Sequence, residues 1–477
     1  MEFATSASAS SLDWMNRPTH ALLRLAWPIA VSTVSWTVMQ LVGTLFMAHV
    51  GADQLAGVGL AGIVLWTFMC FTVGMLRSTK TLVSQAVGAG RPHDTDGYLA
   101  AGLAFGVGMG ALALALSQLA APVLAMATSD PDVGRFAAQS IRIRAFAAPI
   151  ALAFIALRET RWGEGESRTP MRASVSGNVV NIALDTLLIL GLGWGVVGAA
   201  VASIAGASVE LAMLAWPMRA RLARLVWNRA HARAVWQQGV PTGLQFLMEV
   251  GSFLLLSAFI ARMTSVDGAA HQIVLQLTHV SFLPAHAIAE ASSVMVGQAV
   301  GAGRDVWVRR VAWRALAVSG AYAAVCTAVL GGGATVVAGW FADEPALHRL
   351  TVTLLHVSLA FLVADAANVV ARGVLRGAGD VRYPAVMGVI TAWAMTPPIT
   401  WLLGLRLGWG VVGGWVGLSA EIFLGAALFW WRVARGHWRA AAAESRRLVG
   451  ADGVRTPDRD AEFDEDSLSS NTLETAA

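Results

Sequence analysis

Glu249 and Asp365 are the residues of this chain best placed to do chemistry. Each lies well inside a long apolar run, with no Arg or Lys near it in that run. A charge at the centre of a bilayer costs about 2.5–3.5 kcal/mol on insertion scales, so a carboxyl there marks a site by default. An unpaired acid in low dielectric can exchange protons near neutral pH, and paired carboxyls can equally ligate a hard cation. Asn181 and Asp185, four residues apart, share one helical face and form a second candidate. His271 with its neighbour Gln272, then His279, His286 and Glu290, follow along one further run. Glu210 and Glu421 sit in two others, and Arg142 with Arg144 in another. For Arg142, Arg144 and Glu290 the simpler expectation is a tie between helices; for the histidines, a tie and a functional role stand even. Their irregular spacing, with no His-x-x-x-His pair, is unlike a metal set. Cys70 and Cys326 fall in apolar runs and read as core thiols.

Only membrane helices can position these groups. With 56% hydrophobic and 13% charged residues and a mean hydropathy of +0.60, the chain falls outside the soluble globular range. Apolar runs of about 20 residues, enough to cross a hydrocarbon layer of about 30 Å, recur from residue 20 to 434. Lipid offers no partner for an open backbone group, so these runs must be helical. Twelve spans are expected: 22–48, 54–76, 98–126, 136–157, 171–192 and 196–218, then 237–261, 269–297, 311–341, 350–371, 385–404 and 410–431.

Alternate connections collect basic residues, among them Arg77, Lys80 and Arg91, Arg158 and Arg168, Arg219 to Arg233, Arg304, Arg372 and Arg376. The other connections hold Asp53, Asp130, Asp132, Asp267, Asp343 and Glu344. Cytoplasmic loops favour Arg and Lys, which places both termini inside. Residues 1–20 read as a polar cytoplasmic segment, 21–219 as a first six-helix lobe and 220–236 as a basic inter-lobe linker. Residues 237–434 form the second lobe, and 435–477, polar and then acidic, are expected to be a disordered cytoplasmic tail.

The lobes are one unit written twice. Gln85-Ala-Val-Gly-Ala-Gly-Arg91 returns unchanged as Gln298 to Arg304, and Gly193-Trp-Gly-Val-Val-Gly198 as Gly408 to Gly413. Arg158, Gly163, Gly165, Arg168 and Pro170 return as Arg372, Gly377, Gly379, Arg382 and Pro384. Six crossings return the chain to its starting side, so the halves are parallel repeats, related by an axis along the membrane normal. Substrates of such proteins bind near the midplane between the repeats. Gly88, Gly90, Gly301 and Gly303 read as tight turns after spans 2 and 8; they lack the Lys-Ser/Thr of a phosphate loop.

The duplicated unit resembles the multidrug and toxic compound extrusion (MATE) transporters, most closely their bacterial NorM/DinF-like branch. The resemblance rests on Leu25-Ala-Trp-Pro28, Asp53-Gln-Leu-Ala56, Leu82 to Gly90 and Ile141-Arg-Ile-Arg-Ala145. In the second half it rests on Gly239-Val-Pro-Thr-Gly-Leu-Gln245, Ala269-Ala-His-Gln272, Val296 to Gly303 and Leu375-Arg-Gly-Ala-Gly-Asp380. It implies an all-α polytopic fold, twelve transmembrane helices in two lobes that form a V around a central cavity. It also implies antiport, with protons or sodium running inward and organic cations outward as the lobes rock.

By resemblance, Glu249 and Asp365 are the coupling-ion pair, with sodium as the candidate metal, and Asn181 with Asp185 the polar pair of the first lobe. His271 and Gln272 are candidate cavity residues. The chain departs from the family at Gly43, within Val42-Gly43-Thr44, where an Asp is usual, and at Phe361, where some sodium-coupled members carry Tyr. Coupling is therefore expected in the second lobe.

The resulting expectation is a monomeric drug exporter of the bacterial inner membrane, neither an enzyme nor a nucleic-acid binder. It needs no cofactor besides the coupling ion, proton or sodium. The alternative is a lipid-linked glycan flippase of the same superfamily. A flippase needs basic cavity residues for a pyrophosphate, and only Arg142 and Arg144 speak for that.

Overall fold

The computed structural model describes residues 12–341 and 344–450. Residues 1–11, Asp343 and the acidic part of the tail lie outside these. Among the described residues, ten unbroken helices are long and apolar enough to cross a membrane. Two bent pairs, Pro131–Arg144 with Ala147–Gly163 (49°) and Pro345–Leu359 with Phe361–Gly377 (44°), complete the expected twelve spans. The fold is all-helical, a multi-pass membrane bundle.

Backbone details repeat along with the sequence. The two bends fall at equivalent places, in spans 4 and 10. Spans 5 and 11 both end in a widened turn, closed by Leu192 N–H to the Leu187 carbonyl and by Leu407 N–H to the Leu402 carbonyl. Gly90 and Gly303 share φ of 71°, and Gly165 and Gly379 share 84°, conformations that a β-carbon would strain. Span 8 begins with a capping box in which Thr264 and Asp267 satisfy each other's backbone N–H groups.

Several helices overrun their apolar stretches. Span 2 is Ala52–Gly88 and span 8 is Ser265–Gly301, 37 residues each, or roughly 55 Å at 1.5 Å per residue. Arg77 and Lys80, expected in a loop, therefore lie inside span 2, and Lys80 is only 3% exposed. Arg158 belongs likewise to Ala147–Gly163, and Arg372 with Arg376 to Pro345–Gly377. Span 7 starts at Arg229, so the expected linker 220–236 is largely helical, with only residues 223–228 between helices.

The tail departs from expectation too. Arg439–Leu448 is a helix, favoured by the four alanines Ala440 to Ala443 and buried through Ala442 and Ser445.

The lobes meet on the end of the bundle that carries the basic connections. Gly88 packs on the backbone of Gln298, and Gly301 on the backbone of Gln85. These two glycines thus serve close approach between lobes, while Gly90 and Gly303 make the turns. Deeper in, Gly74 faces Gly243, where an added Cβ would stand 2.9 Å from the opposing Cα. Both described chain ends fasten this basic end crosswise. Trp14, before span 1, donates from Nε1 to Gln298 Oε1 (2.9 Å) in the second lobe. Ser445, in the C-terminal helix, donates to Gln85 Oε1 (2.6 Å) in the first, while Arg91 holds the carbonyls of Val449 and Gly450. Cys70 is buried, Cys326 is half-buried, and both are free thiols.

Candidate functional site

A charged plug crosses the seam between the lobes. From the first lobe come Arg77 and Lys80 of span 2, with Arg158 and Glu159 of span 4; from the second come His286 and Glu290 of span 8. Lys80 Nζ is paired with Glu290 Oε2 and lies 3.7 Å from Glu159 Oε2. Arg77 and His286 approach Glu290 Oε1 at 3.5 and 3.4 Å, and Arg158 donates to Glu159 Oε1 at 2.9 Å. Lys80, Glu159 and Glu290 are all buried. Glu290 is thus a tie, as expected, but one between lobes. Glu159 went unnoticed in the sequence, masked by Arg158 and Arg161 in an apparently basic loop.

On the far side of the Gly74–Gly243 contact lies a cleft of about 310 Å³ between spans 2 and 7, bordered by Trp66, Thr67, Phe253 and Glu249. Glu249 Oε1 accepts from Gln245 Nε2 at 2.9 Å and from Arg372 Nη1 at 2.7 Å. The expectation that Glu249 lacks a nearby base is thereby corrected. Arg372 comes from span 10, two turns beyond Asp365. Asp365 is half-buried and makes no hydrogen bond with a described residue; its charged neighbours are Arg372 and Glu421 of span 12. Glu421 Oε2 accepts from Thr396 Oγ1 at 2.5 Å. Arg372 thus pairs with Glu249 and acts electrostatically on Asp365 and Glu421, and Glu421 belongs with the predicted pair.

In the first lobe, Asn181 and Asp185 are both 4% exposed. A β-carbon on Gly43 would lie 3.7 Å from Asp185 Oδ2, so the position where the family usually has Asp faces Asp185 directly. Arg144 is the charge acting on Asp185, whose Oδ1 has no partner among the described residues. Arg142 contributes its carbonyl, which accepts from Gln118 Nε2. Glu210 packs against Gly177 of span 5.

The histidines separate. His286 joins the plug, while His279 stacks on Phe282. His271 is 2% exposed, edge-on to Trp415 and beside Phe253, with both ring nitrogens unpartnered among the described residues. Its side chain is buried, whereas Gln272 is exposed. Phe361 is buried beside the same Trp415.

Two parallel six-helix lobes, sealed at one end and holding acids beyond the seal, define a secondary membrane transporter. The chain belongs to the MatE family, whose profile matches residues 28–187 and 241–402. The probable multidrug resistance protein NorM of Pseudomonas syringae pv. tomato is 30% identical over 450 residues, covering 90% of this chain and 97% of that protein. The protein of the same description from Bradyrhizobium diazoefficiens is 30% identical over 453 residues, 90% and 94% of the two chains. The eukaryotic MATE transporter AtDTX14 superposes with a TM-score of 0.82 at 19% identity, over 91% of this chain and 99% of its own. A multidrug resistance MATE transporter in an outward-facing conformation gives 0.81 at 20% identity, over 89% and 97%.

Proposed function

We propose that this protein is a secondary antiporter that expels amphipathic, mostly cationic organic compounds, driven by inward protons or sodium. The observation that carries this reading is Glu249, standing at the cleft between the lobes and bound to Arg372. A proton reaching Glu249 cancels its charge and frees Arg372 to turn towards Asp365 and Glu421; a cationic cargo displaces the same guanidinium by repulsion. Ion and cargo therefore compete for one cluster, which an exchanger requires, since a ligand shifts a conformational equilibrium only through its differential affinity for the two states. A glycan flippase is disfavoured, because the base at the cleft, Arg372, is already held by Glu249. The multidrug description of the NorM relatives supports the same cargo class. The protein acts as a single chain in the bacterial inner membrane, as a transporter and without enzymatic chemistry.

The deciding experiment loads vesicles with a fluorescent organic cation and imposes a proton gradient alone, then a sodium gradient alone. One of the two should drive transport. Indifference to both removes the antiporter reading.

The basic end is assigned to the cytoplasm by its charge. In a Cys-free background, cysteines at Ser129 and Glu344 should react with an impermeant reagent from outside, and one at Arg224 should not. Reaction of all three from one side would sink the topology.

A further inference from the structure

On the outer wall, away from the cleft, a groove of about 730 Å³ runs between the two lobes. Its mouth is basic. Arg24 and His20 lie one turn apart near the start of span 1, and Arg168 is the first residue of span 5. All three side chains are exposed, with no hydrogen bond or ion pair to a described residue. Its body is apolar: Trp27 and Ala30 of span 1 face Ile288 of span 8 and Val318 of span 9, with Tyr322 deeper still. Leu23 and Trp27 are both 46% exposed, so the groove opens sideways, to lipid.

We propose that this groove binds an anionic phospholipid of the leaflet on the basic side. Arg24 and Arg168 stand at headgroup depth, close to the starts of their helices, where arginines pair with a lipid phosphate. The apolar body below them matches an acyl chain. A soluble anion would leave that body uncovered, and a cationic cargo would be repelled at the mouth. Span 1 and Arg168 belong to the first lobe, and Ile288, Val318 and Tyr322 to the second. The bound lipid therefore bridges the lobes as they stand here and favours this arrangement over any in which spans 1 and 8 part.

The test uses the purified full chain in phosphatidylcholine nanodiscs doped with phosphatidylglycerol. It reads the unfolding midpoint and the lipid retained in native mass spectra. Phosphatidylglycerol should raise the midpoint and remain bound. Near a membrane surface each arginine contributes about 1 kcal/mol, roughly fivefold, so Arg24→Gln with Arg168→Gln should weaken retention about thirtyfold. Arg135→Gln, at the opposite end, should leave it unchanged. Ala30→Phe, which fills the groove while keeping both arginines, should also expel the lipid, and it guards against a double variant that fails to fold. Equal effects of phosphatidylcholine and phosphatidylglycerol, or retention by the Ala30→Phe protein, would overturn the site. Full stabilisation by glycerol 3-phosphate would overturn the phospholipid and leave a free phosphate as the ligand. Drug efflux is not the readout, so this outcome is independent of the antiport reading.

Discussion

Glu249→Gln should abolish gradient-driven efflux while protein level and fold survive. Glutamine keeps the size of the side chain and can still accept from Gln245 and Arg372, now at 2.9 and 2.7 Å, but it neither titrates nor carries charge. Arg372 is then left to Asp365 and Glu421 whatever the gradient, and nothing reports arrival of the ion. Asp365→Asn should do the same. Asp185→Asn should do less damage, because Gly43 supplies no second carboxyl beside it and Arg144 is its only charged neighbour among the described residues. The assay compares gradient-driven efflux with downhill drug exchange, which needs no coupling ion and should persist in Glu249→Gln. If Asp185→Asn stops pumping while Glu249→Gln pumps normally, coupling belongs to the first lobe.

Breaking the plug should cost stability and undo the seal. Removing one member of a buried ion pair leaves its partner uncompensated, at about 3–5 kcal/mol. Lys80→Met should fall near the lower end of that range. Glu159 keeps Arg158 at 2.9 Å, and Glu290 keeps Arg77 at 3.5 Å. The larger effect is on opening, since Lys80 is the group through which Glu159 of one lobe and Glu290 of the other share a cation. Thr81, 2% exposed in the seam, makes a suitable reporter once changed to cysteine. Lys80→Met should lower the unfolding midpoint and let that cysteine react from the basic side. The pair Lys80→Met with Glu290→Gln should recover part of the midpoint but not the protection. Unchanged midpoint and unchanged protection in Lys80→Met would deny the plug its sealing role.

Repeat, span number and the placement of Glu249 inside a span were legible because each leaves a local trace: a copied motif, an apolar run, a charge inside one. What escaped was the length of the helices beyond their apolar windows. Lys80 and Arg372 look like loop residues when judged by nearby charge, yet each sits on a continuing helix buried against the opposite lobe or its own neighbours. Burial there is supplied by tertiary packing, which a charge count along the chain cannot register. Gly88 shows the same limit, since nothing within the repeated motif distinguishes a turn glycine from one pressed on Gln298. His271 misleads in the opposite direction. A polar side chain beside Gln272 in a span invites a cavity role, but Trp415 and Phe253 enclose it.

The crosswise fastening of the chain ends also sets an order of events during synthesis. When the first six spans have left the ribosome, Gln85 still awaits Gly377 and Ser445, and Lys80 has Glu159 but no Glu290. Trp14, made before span 1, has no Gln298 to hold. The basic end can close only after residue 298, and its last fastening waits for Ser445 and the carbonyls at Val449 and Gly450. A chain truncated before that helix would insert every span and still lack one of its two clasps, so completeness of translation is written into the seal.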